Sequence, residues 1–114
     1  MADDVVYINA EEGSKRVMNN TKLYAKLLNK FKEDPSMSQI EAALADNDNE
    51  TAKNSAHTLK GLAANLSLIE LFNQCLDLET QLKNASLIPD QFESLKNAYT
   101  KTILEVDKVI AQYA

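Results

Sequence analysis

Ala56-His57-Thr58-Leu59-Lys60-Gly61-Leu62-Ala63-Ala64-Asn65-Leu66 carries the pattern from which the architecture follows. At about 100° per residue, Ala52, Ala56, Leu59, Ala63 and Leu66 form one apolar stripe, and His57 lies roughly 140° from its centre. The spacing predicts an amphipathic helix that buries Leu59 and turns the chain's only histidine towards solvent.

The same helical geometry puts Lys53, Lys60, Gly61 and Ala64 within about 60° of His57. The imidazole thus has two ammonium groups and two nearly absent side chains as neighbours. A ring nitrogen that accepts a phosphoryl group needs open space for an incoming protein surface, and the phosphoramidate it forms needs positive charge nearby. Gly61, one turn on from His57, leaves space where another residue would put a Cβ, at a cost of roughly 1 kcal/mol against alanine in a helix interior. Each feature also has a plain structural reading: a solvated histidine, lysines of an exposed face, and a glycine that lets the next helix pack closely at Cys75.

Towards the N-terminus, Asn9-Ala10-Glu11-Glu12 reads as a helix start with a capping box, leading into a short helix containing Val17. A second start falls at Asn20-Thr21, followed by the core-facing stripe Leu23, Leu27, Leu28 and Phe31. Pro35 interrupts it, and Met37, Ile40 and Leu44 resume it. The polar run Asp46-Asn47-Asp48-Asn49 precedes the histidine helix, whose cap is Asp48 or Asn49. Beyond that helix, Asn65 can turn the chain, and Ser67-Leu68-Ile69-Glu70 reads as a capping box for a helix with the stripe Leu68, Leu71, Cys75, Leu78 and Leu82. After a break at Asn84–Asp90, a long final helix carries Phe92, Leu95, Tyr99, Ile103, Val106, Ile110 and Tyr113. Long amphipathic helices with short connections predict an all-α antiparallel four-helix bundle with shorter N-terminal helices attached, residues 1–114 forming a single domain.

If the histidine helix and its successor run antiparallel about residue 67 or 68, His57 pairs with Leu78 or Glu79, and Gly61 with Cys75. Glu79 could then accept the Nδ1 proton of His57, fixing the tautomer and leaving the Nε2 lone pair free. It could equally pair with Lys83 one turn along its own helix.

Composition excludes several function classes. The chain is 45% hydrophobic and 25% charged, with only two glycines and two prolines, which suits one small helical core and offers little turn chemistry for a sheet. A net charge of −5 argues against nucleic acid as a partner; Lys53 and Lys60 give the surroundings of His57 a local positive sign that suits an anionic partner pocket. No apolar run reaches about 18 residues, so no membrane span is expected. The polar, acidic start is not a signal peptide, which points to the cytoplasm. Cys75 falls in an apolar stripe and reads as a small buried hydrophobe. One histidine and one cysteine cannot form a metal shell, and no Gly-rich phosphate loop or kinase-like metal set is present, so ATP chemistry is not expected.

The whole string Ala56 to Leu66, with Gly13, Leu23 to Phe31, Ala42-Ala43-Leu44, Asp48 and Leu78-Glu79 around it, resembles the histidine-containing phosphotransfer (HPt) domains of bacterial-type phosphorelays over roughly residues 8 to 110. Many members of that family have glycine ten residues after the histidine, where this chain has Ser67. The resemblance implies that His57 accepts a phosphoryl group from a receiver-domain aspartate and passes it to another receiver, with Lys60 stabilising charge, Glu79 orienting the imidazole, and Gly61, Ala64 and Lys53 meeting the receiver. Partners would be receiver domains of a hybrid histidine kinase or of response regulators, the protein itself being a monomer. It would need no cofactor of its own, since Mg²⁺ belongs to the receiver, and would have no kinase activity. The alternative from the same fold is a phosphorylation-independent scaffold or inhibitor that docks a receiver or kinase through the same face.

Overall fold

The computed structural model describes residues 5–84 and 89–113. Among these described residues six helices follow in order: α1 (Ala10–Lys15), α2 (Thr21–Lys32), α3 (Ser36–Ala45), α4 (Asn49–Asn65), α5 (Ile69–Lys83) and α6 (Pro89–Tyr113). Side-chain oxygens close three of their N-termini, where the first N–H groups lack helical partners. Asn9 accepts from Glu12 N–H, Asn20 from Leu23 N–H, and Asp48 from Thr51 N–H, at 3.0–3.1 Å. Residues 85–88 of the expected break lie outside the described residues.

α4 packs most extensively on α5 and α3, α5 on α6, and α6 on α2. Lys32 at the end of α2 pairs with Asp107 late in α6 at 2.6 Å, and Glu41 in α3 pairs with Lys96 early in α6 at 3.3 Å. α2 and α3 therefore run in succession, antiparallel to α6. Together they span about 33 Å, close to the roughly 37 Å of α6, and make the fourth stave of an all-α bundle with α4, α5 and α6. The break at Pro35 is where the fold expects it, between α2 and α3.

The stripes on α4 and α5 are buried as their spacing predicts: Ala52, Ala56, Leu59, Ala63 and Leu66 face Leu68, Leu71, Cys75, Leu78 and Leu82, each 7% exposed or less. On α2 the expected stripe keeps Leu28 and Phe31 buried and Leu27 packed beside them, but its first position is Tyr24 rather than Leu23. Tyr24 is fully buried while Leu23 is 38% exposed, because the Tyr24 hydroxyl donates to the Leu66 carbonyl at 2.6 Å across the bundle. On α6 the deepest positions are Leu95, Ala98, Thr102, Val106 and Val109, with Phe92, Tyr99, Ile103, Ile110 and Tyr113 packed at the flanks. Thr102 escapes an unmet hydroxyl by donating to the Ala98 carbonyl at 2.7 Å.

Ser67 does not cap α5, and Asn65 does not turn the chain. Asn65 is the last residue of α4, and Ser67 itself takes the left-handed conformation with φ 58°. Leu68 N–H reaches the Ala63 carbonyl and Ser67 N–H the Ala64 carbonyl, the paired bonds that close a helix through a left-handed residue. Asn47, φ 56°, closes α3 in the same way. The Ser67 hydroxyl donates instead to Glu12 Oε1 at 2.8 Å, and Asn9 N–H donates to the Ser67 carbonyl. Glu12 thus serves the α4–α5 turn rather than reaching back within its own capping box, and α1 ends before Val17. Gly13 sits against the Tyr24 ring so closely that a Cβ there would collide with it.

Candidate functional site

The turn at Ser67 sets the register of α4 against α5, and that register brings His57 and Glu79 together. Their pairing is the one expected from equal distance to the turn. The His57 side chain is 69% exposed, and its Nδ1 lies 2.9 Å from Glu79 Oε2. The Glu79 side chain is only 20% exposed. Its other oxygen, Oε1, is fully covered and lies 2.7 Å from Lys60 Nζ, an ion pair in close contact rather than an aligned hydrogen bond. One carboxylate therefore bridges the imidazole and the ammonium across two helices, and its ion pairs among the described residues run to His57 and Lys60, not to Lys83.

Burial alone would raise the Glu79 pKa, but the Lys60 and His57 contacts outweigh it and hold the carboxyl below its ordinary value. Glu79 is therefore an acceptor without a proton at neutral pH. A hydrogen bond to it requires the proton on Nδ1, which leaves the Nε2 lone pair directed away from the bond. One turn before Glu79, Cys75 is fully buried, and its thiol is pushed up to about 12 by burial and by the Glu79 charge. It is a packing residue with no nucleophilic character at neutral pH.

The remaining residues expected around His57 separate into two groups. Gly61 is exposed, and a Cβ added there would meet nothing within 4 Å. Close packing against Cys75 therefore does not explain this glycine. Ala64 is half-buried. Lys53 turns away to Glu50, at 3.6 Å, and Lys60 is tied to Glu79. The positive sign expected beside His57 is thus largely neutralised by neighbouring carboxylates.

Unneutralised positive charge lies elsewhere, where the sequence reading did not look. Residues 15–32 hold Lys15, Arg16, Lys22, Lys26, Lys30 and Lys32 and no acidic residue, in a chain of net charge −5. Among the described residues only Lys32 of these is ion-paired. Arg16 and Lys30, with the acidic Asp34, border an open groove of about 560 Å³ lined by Val17, Leu27, Phe31 and Leu62 and reaching Asn65. Asn65, at one end of this groove, is about 12 Å along α4 from His57. Counting charge along the chain, rather than only around the histidine, would have found this band.

Among the described residues no group of three His, Cys, Asp or Glu side chains could hold a metal ion, and no helix is long and apolar enough to cross a membrane.

No curated protein and no solved structure gives a significant match to the chain. The family model described as Hpt domain matches residues 26–107, a span that contains His57, Lys60, Gly61 and Glu79 and most of the bundle. With an exposed imidazole on α4 and more than two thirds of its length matched, the chain belongs to the Hpt domain family, the phosphotransfer modules of phosphorelays.

Proposed function

We propose that this protein is a phosphorelay intermediate: His57 takes a phosphoryl group from an aspartyl phosphate on one receiver domain and gives it to an aspartate on another. The observation that carries this reading is the exposed imidazole whose Nδ1 faces Glu79. Nε2 attacks phosphorus, the Nε2–P bond forms as the aspartyl O–P bond breaks, and the reverse sequence at a second receiver regenerates the imidazole. Glu79 orients the ring. Lys60 acts chiefly by keeping Glu79 ionised and in place, a change from the stabilisation of phosphoryl charge that the sequence alone suggests. Gly61 and Ala64 leave room for the receiver's loops, where misplacement by about 1 Å is costly. The basic band on α1 and α2 suits the acidic partner surface that a metal-binding aspartate pocket implies.

The protein on this reading is a cytoplasmic monomer of one domain without kinase activity. It holds no cofactor, and Mg²⁺ is bound by the receiver. Incubation with a phosphorylated receiver tests this: acid-labile, base-stable phosphate should appear on His57. A scaffold that merely docks the receiver would form a complex and remain unlabelled.

A further inference from the structure

A carboxylate on Nδ1 constrains the phosphorylated state as well as the resting one. The ring that attacks phosphorus must be neutral at Nε2, with a lone pair there, and beside the Glu79 carboxylate its proton then sits on Nδ1. Once Nε2 has spent that pair on the bond to phosphorus, the ring either keeps the Nδ1 proton and becomes an imidazolium, or loses it and turns a lone pair towards Glu79. The second choice sets a lone pair against an ionised oxygen across 2.9 Å, with no proton between them. Lys60 cannot supply one in its place while its Nζ is held 2.7 Å from the far oxygen. The other charged group near His57 on α4, Lys53, is engaged with Glu50, and Cys75 on α5 is a neutral buried thiol.

We propose that Glu79 holds phosphorylated His57 as the Nδ1-protonated imidazolium, so that the phosphoryl group always sits on a ring that can leave as neutral imidazole. The proposal rests on His57 being the phosphoacceptor and adds to it the state in which the group is carried. Donation then requires no prior protonation. An aspartate oxygen of the receiver bonds to phosphorus, the N–P pair returns to Nε2, and the Nδ1 proton stays where it is. Glu79 is a positioning residue in this step, acting through the ring and touching no phosphoryl oxygen. Glutamine at the same place would behave differently, because its amide can turn its NH₂ towards an unprotonated Nδ1 and stabilise the neutral phosphoimidazole, the poorer donor.

The test uses the full chain, labelled with ¹⁵N in histidine and phosphorylated by phosphoramidate. In that reaction the Nε2–P bond forms as the P–N bond of the reagent breaks and ammonia leaves. Long-range ¹H–¹⁵N spectra at neutral pH report whether Nδ1 carries a proton. The expected result is a protonated Nδ1 in the phosphorylated wild type and a loss of that proton at distinctly lower pH in phosphorylated Glu79→Gln, with slower donation to a receiver. A lone-pair signal for Nδ1 in the wild type, or the same titration in both proteins, overturns the proposal while leaving His57 as phosphoacceptor. Absence of phosphoryl incorporation at His57 overturns the phosphoacceptor reading itself, and this proposal with it.

Discussion

Lys60 and His57 lie one turn apart on the same helix, and the structure joins them through a residue of another helix: Glu79 places one carboxylate oxygen 2.7 Å from Lys60 Nζ and the other 2.9 Å from His57 Nδ1. The ammonium therefore acts first on the carboxylate. Removing it leaves a buried oxygen with an uncompensated charge, which costs more than the loss of an ordinary exposed lysine.

Lys60→Ala should accordingly shift the acid side of the stability profile. The Glu79 carboxyl is held below its ordinary value because Lys60 and His57 outweigh burial. A lowered folded-state pKa contributes stability that is present above the unfolded value, near 4.5, and is lost as pH falls through the folded value. Without Lys60 the folded value rises, so the loss begins at higher pH. Urea midpoints of the two proteins between about pH 7 and pH 3 should converge as Glu79 becomes protonated in both. Parallel curves across that range would remove Glu79 from the account of Lys60.

Gly61→Ala should stabilise the bundle by up to about 1 kcal/mol, since alanine removes backbone entropy from the unfolded chain and its methyl group would meet nothing within 4 Å. Gly61→Gln should melt no lower than wild type, yet lose receiver binding and transfer together. A marked fall in the melting midpoint of either variant would return this glycine to a packing role.

Gly13 is the opposite case. A methyl group there would meet the Tyr24 ring, whose hydroxyl is fixed on the Leu66 carbonyl. Gly13→Ala should cost about 1–3 kcal/mol, the usual range for overpacking a well-filled site, measured as a lower urea midpoint with an unchanged slope. Tyr24→Phe in the same background should recover part of that loss by freeing the ring from its hydroxyl bond.

Ser67 separates two contributions. Its left-handed φ of 58° carries a conformational cost of about 1 kcal/mol that glycine would not have, and its hydroxyl bond to Glu12 offsets about as much. Ser67→Gly should therefore be close to neutral, and Ser67→Ala, which keeps the strain and loses the bond, less stable than Ser67→Gly by roughly 1 kcal/mol. Thermal melts of the three proteins give the order directly.

Much of this was legible in the sequence where one periodic pattern dominates. The α4 and α5 stripes, the caps at Asn9, Asn20 and Asp48, the exposure of His57 and its pairing with Glu79 all follow from helical spacing and a short antiparallel turn. Other features escaped because they depend on partners far along the chain. Tyr24 displaces Leu23 from the core only because Leu66 offers a carbonyl 42 residues away. Ser67 looked like a cap because Glu70 follows at the right spacing, whereas its conformation is set by the closure of α4 and by Glu12 of α1. Lys60 looked free because its own helix offers no acid to pair with it, and its partner comes from α5. Glycine at this turn would take the same φ without strain.

The decisive measurement is transfer between two receivers through His57. A receiver carrying labelled phosphate is mixed with the protein and a second, unlabelled receiver, and the label on each is followed in time beside a His57→Gln control. Label should appear first on this protein, then on the second receiver, and both steps should vanish in His57→Gln while its helical content and melting midpoint stay close to wild type. Label reaching the second receiver at the same rate through His57→Gln, or wild-type protein that binds the receivers and never becomes labelled, would contradict the phosphorelay role of His57.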